Sequence, residues 1–417
     1  MKKEKKYPQI DPDLPIKRVW IIFGIVIWTA AFIVKFLTHF KVKKKNKLPK
    51  PPYIIISTHA SMLDYYIILS FTCPRRIYWI STVEEFIPRF FIFRRIGILA
   101  KRKFSNDPRG AMRYMEVLQR GKILALYPEA RYSFAGENER IDKSLGRFVK
   151  KANVPVVFVK CHGNYTHKPQ WSDHVQRKFK PIIAEVETII QKSDLEIMSA
   201  DDVQNLIESQ YDMSEEKWMR DHNIKIKYEN RAVGLHQVLY KCPHCGAECE
   251  MSSETHFLKC NHCGIVYDYL EDGHLKCTNG ETIFDYPSKW YKWEKECCKK
   301  EVLDGSYHFE DDVRVEKLLG AKIGFVPLEG EYHLTHDVEN GIIVKGKNNE
   351  EFTFVRPPLH SYGIHIEYDY DHRGAMIELA SGKDTYFVYP LSKPLNITKI
   401  HFAVEHIYDL EKSKFSK

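Results

Sequence analysis

The stretch that decides the fold is "YIIISTHASMLDYYIILS", residues 53–70. Its first five residues, YIIIS, form a short run that is mainly β-branched and apolar, as expected of a buried parallel strand. His59 and Asp64 follow this strand before the chain turns apolar again. Open α/β sheets place their functional groups just past the carboxyl ends of such strands. We therefore expect His59 and Asp64 to lie at one edge of a largely parallel sheet.

Strand-like and helix-like segments alternate along the chain after residue 70, which predicts an α/β layer. The predicted strands are IYWIS (77–81), KILALYP (122–128) and VPVVFVKC (154–161). DPRGAMRYMEVLQRG (107–121) is a predicted helix, with proline in its first turn and glycine at its end. SADDVQNLIESQY (199–211) begins with a capping box and predicts a later surface helix.

The N-terminal segment is basic and contains an uncharged apolar run, Val19 to Val34. Residues 1–50 hold 13 Lys and Arg against three acidic residues, a balance of +10, so the rest of the +8 chain sums to −2. This distribution argues against a spread nucleic-acid-binding surface and favours a membrane helix at the cytoplasmic face. Lysines flank both ends of the run, so a helix that dips into one leaflet fits slightly better than a full span. A buried core helix is the remaining alternative.

His59 and Asp64 are five residues apart, which allows the carboxylate to fold back onto the imidazole ring. A carboxylate on one ring nitrogen fixes the tautomer and stabilises the imidazolium that forms when the other nitrogen takes a proton. An imidazole held in this way can deprotonate an alcohol as the alcohol attacks. A histidine and an aspartate at this spacing are also expected by chance, so the neighbouring sequence must decide whether the pair is functional.

Two further stretches carry basic residues near predicted strand ends. In "ALYPEARYS" (125–133) a strand ends at the proline, and Glu129 and Arg131 follow at once. Arg131 at such a position can clamp a phosphate, with a structural ion pair as the alternative. "RRIGILAKRKF" (94–104) contains a basic edge that includes Arg102, for which a solvated surface patch is the alternative.

Together these stretches resemble the glycerolipid acyltransferase superfamily, typified by 1-acylglycerol-3-phosphate acyltransferases. The family's first block, His-x4-Asp, corresponds to His59 and Asp64. Its second block is a glycine followed closely by a basic residue, and it corresponds to the stretch from Gly97 to Arg102.

The third and fourth blocks of the family follow in the same order. Phe-Pro-Glu-Gly-Thr-Arg-Ser corresponds to YPEARYS (127–133), and a Val-Pro segment on a strand corresponds to NVPVVFV (153–159). This sequence departs from the third block in two places. Ala130 replaces the glycine, and Tyr132 stands where the family has its arginine.

The resemblance implies transfer of an acyl group from acyl-CoA or acyl-carrier protein to the hydroxyl of a membrane lysophospholipid, with 1-acylglycerol-3-phosphate the favoured acceptor in phospholipid biosynthesis. It implies that His59 is the general base and that Asp64 orients it. Glu129 then supports the acceptor site, and Arg102 and Arg131 bind the acceptor's phosphate.

A separate pattern lies farther along, where "CPHCG" and "CNHCG" supply Cys242, Cys245, Cys260 and Cys263. Two Cys-x2-Cys-Gly knuckles on facing hairpins present four thiolates tetrahedrally to a structural zinc ion. Disulfides or a redox pair are the alternatives. With thiolate at all four positions, no place is left for water, so we expect no catalysis by the metal.

After about residue 300, alternating strands with turn signals are followed by an amphipathic helical segment, "NITKIHFAVEHIYDLEK" (396–412). This pattern predicts an antiparallel β domain with a closing helix, which loosely resembles a pleckstrin-homology-like fold. A small β-sandwich used for packing is the alternative.

The chain of 417 residues, 44% of them hydrophobic, is long enough for several domains. We predict a basic membrane anchor (1–48), an α/β acyltransferase domain (49–235), a zinc ribbon (236–300) and the β domain with its C-terminal helix (301–417). A rival function is a membrane-tethered scaffold, with a degenerate acyltransferase domain, that binds a protein partner through the zinc ribbon or the β domain. Mixed charge around the cysteines disfavours nucleic acid.

Overall fold

The computed structural model describes residues 10–415, apart from 13, 18, 106, 178–180, 348–351 and 383. Its contacts divide the chain into two units. The N-terminal unit comprises Ile10–Lys101 and Asp107–Lys227, and the C-terminal unit comprises the loop that begins at Arg102 and the chain from Tyr228 onward. The contacts thus group residues 10–48 of the predicted anchor with most of the predicted acyltransferase segment, and the predicted ribbon with the β segment.

The N-terminal unit is an α/β structure built on one mixed sheet. Its strands are β1 (Lys41–Lys44), β2 (Tyr53–Ser57), β3 (Ile77–Thr82), β4 (Ile98–Lys101), β5 (Ile123–Leu126), β6 (Val156–His162) and β7 (Ile183–Ile190). Its helices are α1 (Ile21–Thr38), α2 (Leu63–Thr72), α3 (Phe90–Ile96), α4 (Pro108–Gln119), α5 (Leu145–Ala152), α6 (Asp194–Ile197), α7 (Ala200–Glu208) and α8 (Glu215–Asp221).

The strands pair in the order β1-β7-β6-β2-β5-β3-β4, which places β2 in the middle of the sheet. Every residue of β2 is 0% exposed, which explains its uninterrupted apolar sequence. β2 pairs in parallel with β5 and β6, so the carboxyl ends of these three strands meet at one edge. His59 follows β2 and Glu129 follows β5, and the fold therefore brings them to the same edge.

The predicted strands and helices of this unit are confirmed. α4 begins after Asp107, whose side chain accepts a hydrogen bond from the backbone N–H of Gly110. α7 begins with the predicted capping box, in which Ser199 and Asp202 bond each other's backbone N–H. The sequence did not predict β1, because Lys41–Lys44 lacks an apolar pattern, yet it pairs in parallel with β7.

The C-terminal unit contains two antiparallel sheets and two long helices. It comprises α9 (Leu235–Val238), β8 (Met251–Glu254), β9 (Phe257–Cys260), β10 (Val266–Tyr269), β11 (Leu275–Cys277), α10 (Pro287–Asp304), β12 (His308–Gly320), β13 (Gly324–Pro327), β14 (Tyr332–Asp337), β15 (Gly341–Gly346), β16 (Thr353–Arg356), β17 (His365–Glu367), β18 (Met376–Ser381), β19 (Asp384–Pro390) and α11 (Ile397–Lys414). The sequence did not predict α10.

The predicted antiparallel strands of the last third are present. The long strand β12 pairs with β14 on one side and with β19 on the other, so it joins β14–β16 and β17–β19 in one sheet. α11 follows β19 and packs against α10 and β17. On α11 the predicted inward residues Ile400, Val404 and Ile407 are buried. The likeness to a pleckstrin-homology fold stays a prediction.

Candidate active site

The structure brings His59 and Asp64 into contact at the carboxyl edge of the sheet. His59 lies in the turn after β2, and Asp64 lies in the first turn of α2. Asp64 Oδ2 is 3.2 Å from His59 Nδ1. The side chain of His59 is 19% exposed, whereas that of Asp64 is 0% exposed. The carboxylate is therefore placed to fix the ring, and the ring is the member of the pair that a substrate can reach.

Asp64 is held by hydrogen bonds on both of its oxygens. Oδ2 also accepts from the backbone N–H of Ala60 at 2.8 Å and of Ser61 at 3.1 Å. Oδ1 accepts from the side-chain amide of Asn164. Both Asp64 and Asn164 are fully buried. This network fixes the carboxylate in one orientation toward His59.

Sequence reasoning missed Asn164. It lies two residues beyond the end of β6, a strand that pairs in parallel with β2, so it reaches the same edge of the sheet as His59. The same rule that pointed to His59 would have found it, because it is a polar residue just past a parallel strand.

Two tyrosines pack on the His59 ring. Tyr127 is stacked on it, with ring centroids 3.9 Å apart and an angle of 15° between the planes. Tyr132 lies 4.3 Å from it at 46°. Tyr132 occupies the position at which the acyltransferase pattern has arginine, so this chain uses that position for a ring contact with His59.

The loop after β5 also holds the backbone of His59 from both sides. Glu129 Oε1 accepts from the His59 N–H at 3.2 Å, and the Ser133 N–H donates to the His59 carbonyl at 3.0 Å. Glu129 Oε2 accepts from the Glu139 N–H at 2.8 Å. Burial raises the pKa of Glu129 well above its usual value, and the hydrogen bonds oppose that rise. Glu129 therefore supports the turn that carries His59.

Ala130 has a positive φ of 56°, a backbone conformation that favours glycine. Its N–H donates to the Tyr127 carbonyl at 3.0 Å, which closes the turn after β5. The acyltransferase pattern has glycine here. The turn thus keeps the left-handed conformation in this chain, at a cost of roughly 1–2 kcal/mol for a residue with a Cβ atom.

The two predicted phosphate ligands lie in different units. Arg131 is 3% exposed in the loop after β5, in the N-terminal unit with His59. Arg102 belongs to the C-terminal unit, where its Nε donates to Thr385 Oγ1 at 3.1 Å. This bond joins Arg102 to β19 of the β domain, and the binding of phosphate by Arg102 stays a prediction.

The four predicted zinc ligands come together in the C-terminal unit. The Sγ atoms of Cys242, Cys245, Cys260 and Cys263 lie within 4.8 Å of one another. Cys242 and Cys263 are 3.7 Å apart and Cys245 and Cys260 3.8 Å, far beyond a disulfide bond. Zinc with four thiolates at about 2.3 Å requires sulfur atoms about 3.8 Å apart in a tetrahedron. The residues therefore fit zinc.

The knuckle geometry agrees with that fit. In each knuckle the glycine N–H donates to the carbonyl of the first cysteine at 2.9 Å, from Gly246 to Cys242 and from Gly264 to Cys260. Both glycines have a φ of +75°, which only glycine adopts without strain. The two knuckles thus form matching turns around the four sulfur atoms.

α10 fastens the first knuckle to the rest of the C-terminal unit. Trp290 Nε1 donates to the Lys241 carbonyl at 2.8 Å, and the Lys241 N–H donates to Glu294 Oε1 at 2.8 Å. The Lys241 ammonium group lies 3.0 Å from Glu248 Oε1, and Lys399 of α11 lies 2.9 Å from Glu248 Oε2. Hydrogen bonds and ion pairs therefore join the ribbon to the helices that follow it.

Comparison with known proteins agrees with the site over part of the chain. Residues 39–161 match the family model described as Acyltransferase. This stretch includes His59, Asp64, Glu129 and Arg131, and it supports the resemblance to acyltransferases. The chain is also similar to the crystal structure of the 1-acyl-sn-glycerophosphate (LPA) acyltransferase PlsC from Thermotoga maritima, with 18% identity and a TM-score of 0.38, over 45% of this chain and 76% of that one. No curated protein matches the sequence.

Proposed function

We propose that this protein is a membrane-bound acyltransferase that moves an acyl group from acyl-CoA or acyl-carrier protein to the hydroxyl of a lysophospholipid, with 1-acylglycerol-3-phosphate as the favoured acceptor. The observation that carries the proposal is the contact between His59 and the buried Asp64, whose two oxygens both accept hydrogen bonds. Both residues lie inside the segment that matches the acyltransferase model. Glycerolipid substrates explain why the unit also carries an apolar helix.

The chemistry needs no enzyme nucleophile. Asp64 engages His59 Nδ1, so Nε2 is the atom that takes the proton of the acceptor hydroxyl. The hydroxyl oxygen attacks the thioester carbonyl, a C–O bond forms and the C–S bond breaks. The proton then passes from Nε2 to the leaving thiolate, which restores the neutral ring. Arg131, in the loop that wraps His59, is the residue of this unit that we propose for the acceptor's phosphate.

The position of the end of α1 supports delivery of a lipid acceptor to the site. Lys41 of β1 pairs with Ile183 of β7, which pairs with His162 of β6. His162 lies three residues past Val159, the partner of Ser57 at the end of β2. The apolar helix α1 therefore ends at the same edge of the sheet as His59. An acceptor held by its acyl chain in lipid next to α1 can present its headgroup at that edge.

We propose that zinc binds the four cysteines and has a structural role. Cys242 and Cys260 are buried, whereas Cys245 and Cys263 are exposed, so the metal would lie near the surface of the ribbon. When bound, zinc supplies a crosslink between the two knuckles.

Asn164 should act on the reaction through Asp64. We expect Asn164→Ala to lower kcat by about 10–100-fold at every pH, because it removes a hydrogen bond to a charged group, while KM changes little. In Asn164→Asp, the new acid donates to Asp64 only while it is protonated. Its kcat relative to the unchanged protein should therefore fall as pH rises, and parallel pH profiles of the two variants would show that Asn164 only fills space.

The proposal is tested with purified protein and labelled acyl-CoA, in an acceptor series of glycerol 3-phosphate, lysophosphatidic acid and lysophosphatidylcholine. We expect the highest kcat/KM with lysophosphatidic acid. Acyl-carrier protein as donor in a parallel series identifies the thioester. Equal and negligible turnover with every acceptor and donor would leave the scaffold function as the better account.

A further inference from the structure

The surface of α1 is apolar on the side that faces away from the protein. Its buried residues are small, Gly24 and Ala31, and these allow close packing against α2. Apart from Thr29, its exposed residues are large and apolar: Ile21, Ile22, Ile25, Val26, Phe32, Ile33, Phe36 and Leu37. Within the described residues, α1 is long and apolar enough to cross a membrane by length and composition. An exposed apolar stripe of this size suits lipid and not water.

Both ends of α1 are tied to the same unit, however. Before the helix, the Trp20 N–H donates to the Arg95 carbonyl at 3.1 Å, just before β4. After it, the chain enters β1. β4 and β1 are the two outermost strands of the sheet, and they lie about 29 Å apart at about 4.8 Å per strand. The 18 residues of α1 span about 27 Å, so the helix lies across the unit and does not lead away from it.

A second apolar element continues this surface. α3 exposes Phe91 and Ile92, at 59% and 48%. Phe91 meets the Trp20 ring edge-on, with centroids 6.3 Å apart. The Arg95 guanidinium lies 4.2 Å from the Trp20 ring and 5.2 Å from the Phe91 ring. α3 and the start of α1 therefore form one continuous face.

The charges around α3 match an anionic lipid surface. Arg89 precedes the helix, and Arg94 and Arg95 lie in its last turn. Arg89 also pairs with Glu85 at 2.9 Å on the surface. Exposed aromatic side chains beside arginines are typical of segments that sit at the level of lipid headgroups.

We infer that α3 is a second lipid-contacting element, with Phe91 and Ile92 inserted into the same leaflet that receives α1 and with Arg89, Arg94 and Arg95 at the anionic headgroups. The inference rests on the proposed membrane-bound function but is tested without acyl transfer. Lipid contact by both α1 and α3 implies that α1 lies in the plane of one leaflet. The carboxyl edge of the sheet, which carries His59, then lies beside that leaflet.

Flotation of the full chain with lipid vesicles tests the inference. We expect Phe91→Ser combined with Ile92→Ser to raise the lipid concentration for half-binding at least about tenfold, with or without phosphatidylglycerol in phosphatidylcholine vesicles. Arg89→Gln should raise it about fivefold on vesicles that contain phosphatidylglycerol and leave it unchanged on pure phosphatidylcholine.

Matched controls lie in the same unit. Met112→Ser removes an apolar side chain that is 71% exposed on α4. Arg220→Gln removes an arginine that pairs with Glu216 four residues before it, as Arg89 pairs with Glu85. Both controls should bind vesicles like the unchanged protein. The α3 variants binding as tightly as these controls would overturn the inference.

Hydrogen–deuterium exchange in phosphatidylglycerol-containing nanodiscs provides a second measurement that does not depend on variants. We expect slower exchange over both α1 and residues 88–96 in nanodiscs than in detergent, with α4 unchanged. Protection of α1 without protection of residues 88–96 would contradict a lipid contact by α3.

Discussion

Replacement of His59 by alanine is expected to lower kcat for acyl transfer by about 10²–10⁴-fold, the usual contribution of a general base. The His59 side chain is 19% exposed, whereas its partner Asp64 is buried. Loss of the imidazole leaves the hydrogen bonds of Asp64 to Ala60 and Ser61 in place. The variant should therefore fold and still float with vesicles. Thiol release from acyl-CoA at saturating lysophosphatidic acid measures the effect.

A matched control for this substitution is His222→Ala. His222 lies in the same unit, with its ring centroid 3.6 Å from that of Trp218. Its removal also takes from the surface a histidine that contacts an aromatic ring, but it touches none of the Asp64 network. The control should retain its turnover. If His59→Ala turned over lysophosphatidic acid as fast as His222→Ala, the assignment of the base would be wrong.

The second large effect is expected at the cysteine knuckles. Cys242→Ser should abolish stoichiometric zinc and unfold the ribbon, because binding of structural zinc supplies about 10–16 kcal/mol to the folding of small ribbons. The damage should extend to α10, since Trp290 and Glu294 both bond the neighbouring residue, Lys241. Metal analysis and thermal unfolding of the purified variant measure both outcomes.

Cys277→Ser is the control for that experiment. Cys277 is buried in β11 of the same ribbon but does not belong to the group of four sulfur atoms. It should keep one zinc ion per chain even if its melting temperature falls. Unchanged zinc content in Cys242→Ser, or none in the unchanged protein, would refute the metal site.

The sequence was most informative where one residue type is required by geometry. The apolar run of β2 predicted a buried parallel strand, and each of its residues is fully buried. The position of His59 and Asp64 past that strand followed from the same rule. The spacing of the cysteines likewise predicted that the four sulfur atoms lie close together, because each Cys-x2-Cys-Gly segment forms the same tight turn.

What the sequence did not reveal depends on contacts between distant segments. β1 is four residues of mostly lysine, and only its pairing with β7 makes it a strand. Asn164 lies 100 residues from Asp64 in the chain, so no local pattern links them. Arg102 bonds Thr385, which lies 283 residues away in the chain, so no local pattern predicts this contact either.

The environment of the His59 ring was also out of reach of the sequence. Tyr132 stood out only as a departure from the acyltransferase pattern, and the structure gives it a contact with the His59 ring. Ala130 departs from the same pattern, yet its backbone keeps the left-handed conformation of glycine. Substituted positions in a motif can therefore preserve its shape while changing what touches the base.

We propose that the His59 imidazole, oriented by Asp64, acts as a general base, so that the lipid hydroxyl attacks the thioester directly. The most direct measurement of this central claim is the balance of products when the purified protein receives labelled acyl-CoA and lysophosphatidic acid in vesicles. We predict free thiol and labelled phosphatidic acid in equal amounts, and neither above background when the acceptor is left out. Absence of labelled phosphatidic acid under these conditions, with the protein folded and bound to the vesicles, would contradict it.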